Sequence, residues 1–137
     1  VIDGLVARLS AERGLSRAER RRSERALEAM ERANEGDDKK AYMVANTDFH
    51  MGLLNGLNHR WLDQFSTLVR MSCQATYLRR QHQTDRLRHS ADEHRGILRA
   101  ILDRDQVLAE TLARSHILNA RNYWVGLERD FPPGGHG

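Results

Sequence analysis

From Val1 the apolar residues Ile2, Leu5, Val6 and Leu9 return at steps of three and four, the spacing that lines one side of an α-helix. Gly14 ends the run where a residue free to take positive φ closes a helix. Ser16 opens a second run, and Glu19 completes a capping-box pattern three residues on. That run carries Leu27 and Met30 and stops at "ANEGDD". Asp37 or Asp38 then caps a third helix, whose face Met43, Asn46, His50, Leu53 and Leu57 continues until "GLNHR" breaks it.

A fourth run, with Trp61, Leu62, Phe65, Leu68, Val69, Ser72 and Ala75, is expected to form one wall of the core before the polar link "RRQHQTD". In "SADEHRGILRAIL" the pattern predicts Ser90 as N-cap with Glu93 as its box partner, a preceding turn from Asp85 being the alternative start. That start puts His94 in the first turn, on a face with Ile97, Leu98 and Ile101. "DRD" makes a short break, and Asp105 caps a last helix with Ala109, Leu112, Ala113, His116, Ala120 and Tyr123 inward. No stretch alternates as a strand does, and short links make successive helices antiparallel neighbours. The fold class is therefore all-α, a helical bundle, in one domain over residues 1–137.

Composition narrows the possibilities further. Hydrophobic residues make up 39% and charged residues 30% of the 137, and both prolines lie in the tail "FPPGGHG", a balance that suits helices better than sheets. The net charge of +3 comes from interleaved bases and acids, so direct nucleic-acid binding gains little support. The cluster Arg17, Arg20, Arg21, Arg22 and Arg25 reads as a solvated face. One cysteine, Cys73, excludes an internal disulfide framework and reads as a small buried apolar group. No apolar run approaches the ~20 residues needed to span a bilayer, and a reducing, cytoplasmic setting is expected. The chain opens inside an amphipathic pattern, as a piece of a longer protein would.

Three of the seven histidines, His50, His94 and His116, fall on inward faces of three different helices. His59, His82, His89 and His136 lie in or beside links and the tail. A buried imidazole needs only a hydrogen-bond partner, but three in one small bundle have a common explanation in a divalent metal ion held by inward side chains. Asn46, one turn before His50, would add an oxygen. Asp48 is rotated about 200° from Asn46 and His50 and should face away. His94 in a first turn would be kept unprotonated by the helix dipole. Three nitrogens and one oxygen would leave two octahedral positions open for waters or an anion. No HExxH or paired CxxC is present, so hydrogen-bonded core histidines stay open as the alternative.

"NTDFHMGLLNGLNHRWL" followed by "SADEHRGILRAILDRDQVLAETLARSHI" resembles the FCD domain, the C-terminal effector-binding domain of FadR-type GntR bacterial transcription regulators. The resemblance covers nearly the whole chain and rests on the order and spacing of His50, His94 and His116. It implies an antiparallel bundle of six or seven helices that binds a ligand and dimerises, joined in the full-length regulator to an N-terminal winged helix-turn-helix that binds DNA and is absent from this chain. It also implies a metal ion of the Zn, Ni or Mn class on His50, His94 and His116. The fourth ligand, most often an aspartate, falls at Asn46, which gives up the charge attraction of a carboxylate.

Effectors in the family are commonly small organic acids, so a carboxylate beside the metal is expected, clamped by Arg70 with Asn119 as a hydrogen-bonding partner. A homodimer is expected too, with Trp61, Tyr123 or Trp124 contributing apolar area. Two other readings stand beside this sensor. One is a metal-dependent hydrolase or oxygenase, which needs a general base although neither Glu93 nor Asp92 faces the His94 side. The other is a metal-free bundle that serves only to dimerise.

Overall fold

A computed structural model of the protein describes residues 1–79 and 84–130. These form seven helices and no strand: α1 Ile2–Arg13, α2 Arg17–Glu35, α3 Lys39–Gly56, α4 Arg60–Asp63, α5 Ser66–Arg79, α6 Thr84–Leu102 and α7 Gln106–Asp130. His82, His136 and the "FPPGGHG" tail lie outside the described residues, as does the side chain of Trp124.

Most of the helix starts follow from local chemistry. The Ser16 hydroxyl accepts from Glu19 N at 3.1 Å while the Glu19 carboxylate accepts from Ser16 N at 2.6 Å, completing the capping box. Asp38, rather than Asp37, caps α3 by accepting from Ala41 N. Asp105 does the same for α7 through Leu108 N. At the end of α1, Gly14 takes φ 82°. The carbonyl of Ala11 in that last turn accepts a 2.6 Å bond from Arg104 Nε, which satisfies an acceptor the helix itself cannot and ties α1 to the link between α6 and α7.

α3 lies at the centre. It packs on α1, α2, α4 and α5, while α1 packs on α6 and α7 and α2 also reaches α6. Accordingly α3 is buried on more than one side, by Tyr42, Ala45, Phe49, Leu53 and Leu54 among others. Met30, Phe49, Leu54 and Ile101 are the largest hydrophobic side chains fully enclosed in the core. No helix among the described residues is long and apolar enough to cross a membrane.

Two expectations are corrected. α6 begins at Thr84, so Ser90 is not an N-cap but a fully buried residue inside the helix, and the Glu93 side chain is taken up by α7 rather than by a backbone N–H. His94 therefore sits mid-helix, beyond the reach of a terminal dipole, which acts only over the first turn. The fourth run divides into α4 and α5, and its core face is narrower than expected. Leu62, Val69 and Cys73 are buried. Trp61, Phe65 and Leu68 are exposed, Trp61 by 60%, because α5 makes its main contact with α3 alone. The Arg60 guanidinium covers part of the Trp61 ring, 4.8 Å from its centroid.

Ile101 is 0% exposed within the core cluster. Ile101→Ala is expected to lower the free energy of unfolding by about 2–5 kcal/mol through lost burial and a residual cavity, read by chemical denaturation.

Candidate metal centre

The site is assembled by three helices far apart in sequence. α3 carries His50, α6 carries His94 and α7 carries His116, and one nitrogen from each ring lies within 4.8 Å of the others. His94 is 0% exposed and His116 is buried. The ring centroids of His94 and His116 are 4.3 Å apart, and those of His50 and His94 5.0 Å. Phe49, one residue before His50, turns its ring edgewise against both His50 and His94 and closes the inner side of the cluster with an apolar wall.

Each ring is oriented from behind by an oxygen. His94 Nδ1 lies 2.6 Å from the carbonyl of Ser90, one turn earlier in α6. His116 Nδ1 lies 2.6 Å from Glu93 Oε2, and His50 Nδ1 lies 3.1 Å from Asp3 Oδ1 on α1. A carbonyl or an ionised carboxylate only accepts, so Nδ1 is the donor in all three rings and the neutral tautomer carries its lone pair on Nε2. This arrangement produces a 3.0 Å contact between His50 Nε2 and His94 Nε2. Two lone pairs at that distance repel unless a cation, either a proton or a metal ion, lies between them. Nitrogens bound to one zinc-like ion at roughly 2.0–2.1 Å sit about 3 Å apart, so the donor set fits a metal.

The carboxylates behind the rings are held ionised. Burial would raise the Asp3 carboxyl, but the hydrogen bond from His50 and the electrostatic attraction of the neighbouring imidazoles outweigh it and lower the pKa. Burial likewise opposes ionisation of Glu93, yet bonds from His116, Asn119 and Arg86 bring it down to about 2. Asn119 Nδ2 lies 2.7 Å from Glu93 Oε1, and Arg86 Nη2 lies 3.2 Å from Oε2. Both Glu93 oxygens are thus engaged in holding α6 against α7. A carboxylate so engaged orients a ligand and is poorly placed to serve as a free general base.

Asn46 is buried one turn before His50 and lines a cavity of about 160 Å³ together with Asp3, His50, Cys73 and His116. Asp48 is exposed, as its rotation from that face requires. Arg70 is exposed on α5 and does not line this cavity, and Asn119 reaches Glu93. The arginine that does line it is Arg121 of α7. His59 and His89 are exposed, His89 within 3.5 Å of Glu93. Asp3, Arg86 and Arg121 are the functional candidates that sequence spacing did not single out. Asp3 meets His50 only through tertiary packing, Arg86 acts through Glu93 seven residues on in the same helix, and Arg121 reaches the cavity from the helix that carries His116.

With no metal bound, the Glu93 bonds generate an acid-dependent stability. The folded-state pKa of about 2 lies below the ordinary 4.5, so this contribution is present above about pH 4.5 and is lost as the pH falls towards 2. In chelator-treated protein, unfolding free energy is expected to fall over that window, and Glu93→Gln should make the dependence shallower. Identical acid profiles for the two proteins would contradict this assignment.

No curated protein matches the chain. The FCD domain family matches residues 1–119, a span that runs from Asp3 through all three histidines to Asn119. The chain therefore belongs to the FCD domain family, a family of effector-binding domains of regulators.

Proposed function

We propose that the chain is the effector-sensing domain of a bacterial GntR-type transcription regulator of the FadR branch. In this reading it binds a divalent metal ion through His50, His94 and His116 and a small carboxylate beside that ion. The observation that carries it is the 3.0 Å approach of two Nε2 atoms whose rings are each tied through Nδ1 to an oxygen. A metal ion turns this repulsion into a shared bond, and imidazole suits ions of the Zn, Ni or Cu class. Asn46 faces the same cavity and supplies the oxygen ligand.

The adjoining cavity of about 160 Å³ corresponds to about five water molecules, room for an acid of a few carbon atoms. Its walls offer Arg121 as the cation for the carboxylate, in place of Arg70, together with the apolar Val69 and Ile117. Sensing requires that the acid bind one arrangement of the helices better than another, because only that difference shifts an equilibrium. α1, α3, α6 and α7 all contribute to the histidines or to the oxygens behind them, so occupancy changes how four helices are held together. Pairing of two copies and attachment to a DNA-binding domain belong to the same reading and rest on the family resemblance. The engagement of both Glu93 oxygens favours a sensor over a hydrolase.

Metal analysis of the untreated protein and a thermal-shift screen of organic acids, run on wild type and on His94→Ala, test the reading. Wild type is expected to carry close to one ion per chain and to gain melting temperature with at least one acid, whereas His94→Ala should lose both. Equal acid-induced shifts in the two proteins at comparable metal content would contradict it.

A further inference from the structure

The groups that meet at the centre carry no charge of their own. As ligands they are three neutral imidazoles, joined by the amide of Asn46, which lines the adjoining cavity, and none of them offsets a divalent cation in a largely buried site. Two carboxylates stand one hydrogen bond further out. Asp3 backs His50 at 3.1 Å and Glu93 backs His116 at 2.6 Å, while His94 is backed by a neutral carbonyl. Both carry negative charge to the edge of the site, that of Glu93 shared with Arg86 at 3.2 Å. Asp3 reaches His50 from another helix, α1, and its side chain is only 25% exposed. It also lines the cavity that Asn46 lines.

We infer that Asp3 and Glu93 are the charge-compensating positioning residues of this metal centre, Asp3 providing from α1 the negative charge that position 46 lacks. The inference rests on the metal-binding reading above. A carboxylate on the far nitrogen holds an imidazole in its ligating tautomer and makes it a stronger electron donor, and removal of such a partner typically weakens metal binding about 10–100-fold. A site built this way presents nitrogen to the ion and keeps its charge at a distance. It should therefore favour zinc or nickel over manganese, which prefers direct carboxylate oxygen. An Asp at 46 would move charge inward and relax that preference.

Zinc affinity by competition with a chromogenic chelator separates the possibilities, with circular dichroism reporting the fold and the visible spectrum of bound cobalt reporting the ligand set. Asp3→Asn and Glu93→Gln are each expected to bind zinc about 10–100-fold more weakly than wild type. Adding Asn46→Asp to Asp3→Asn should recover at least about tenfold of that loss, raise manganese binding relative to zinc, and alter the cobalt spectrum. Asp3→Glu keeps the charge and should stay within about threefold of wild type. It decides the matter if the Asn variant does not fold. Wild type that binds no zinc would overturn the metal reading itself. Wild type that binds zinc while Asp3→Asn and Glu93→Gln bind it equally well would overturn only the present inference. Failure of Asn46→Asp to rescue, or a loss in Asp3→Glu as large as in Asp3→Asn, would overturn it too by assigning Asp3 a packing role.

Discussion

His50 and His94 meet nitrogen to nitrogen at 3.0 Å, and the architecture around them is what keeps two like dipoles at that distance. The Ser90 carbonyl turns one ring and the Asp3 carboxylate the other, so neither can rotate its N–H inward without giving up a buried hydrogen bond. The His116 ring packs against the same pair, 4.3 Å from His94, and is turned by Glu93. Leaving such polar groups without partners in a core is costly, so the helices that carry them are constrained as much by this cluster as by the surrounding apolar contacts. A cation at the centre removes the one unfavourable feature of the arrangement, which makes the cluster a device that holds together best when filled.

The consequence for the fold is that its polar centre and its apolar core are continuous. Phe49 belongs to both, packing edgewise on two of the imidazoles while lying fully buried among core residues. α3, the most enclosed helix, carries His50 and Asn46. α1 carries Asp3 and is itself fixed at its far end by Arg104. A change in what the histidines hold is therefore felt by α1, α3, α6 and α7 together, and this is the physical content that the FCD assignment acquires in this chain. Membership over residues 1–119 places the cluster within a domain of a regulator family, and the proposed response to a small ligand rests on this geometry.

Much of this was legible in the sequence. The caps at Ser16, Asp38 and Asp105 are local, and so are the apolar stripes that located His50, His94 and His116, because a polar residue at an inward helical position is visible in a single window of sequence. Tertiary competition was not legible. Ser90 and Glu93 match a capping box, but Glu93 is claimed by His116, Asn119 and Arg86, and the helix continues back to Thr84. His94 is consequently oriented, with Nε2 toward the other rings, by the Ser90 carbonyl and not by a helix dipole. Trp61, Phe65 and Leu68 follow the same periodicity as true core positions, yet lie exposed because α5 packs mainly on α3. Asp3 stands 47 residues before His50, a separation that no spacing rule bridges.

X-ray absorption at the metal edge of the purified, zinc-loaded protein tests the central claim most directly, because it reads the ligands of the ion itself. Convergence of His50, His94 and His116 predicts about three imidazole nitrogens at roughly 2.0–2.1 Å from one ion, completed by light oxygen donors, and in His94→Ala either no bound zinc or a shell with one imidazole fewer. A zinc shell with one imidazole or none, or one unchanged in His94→Ala, would contradict the account.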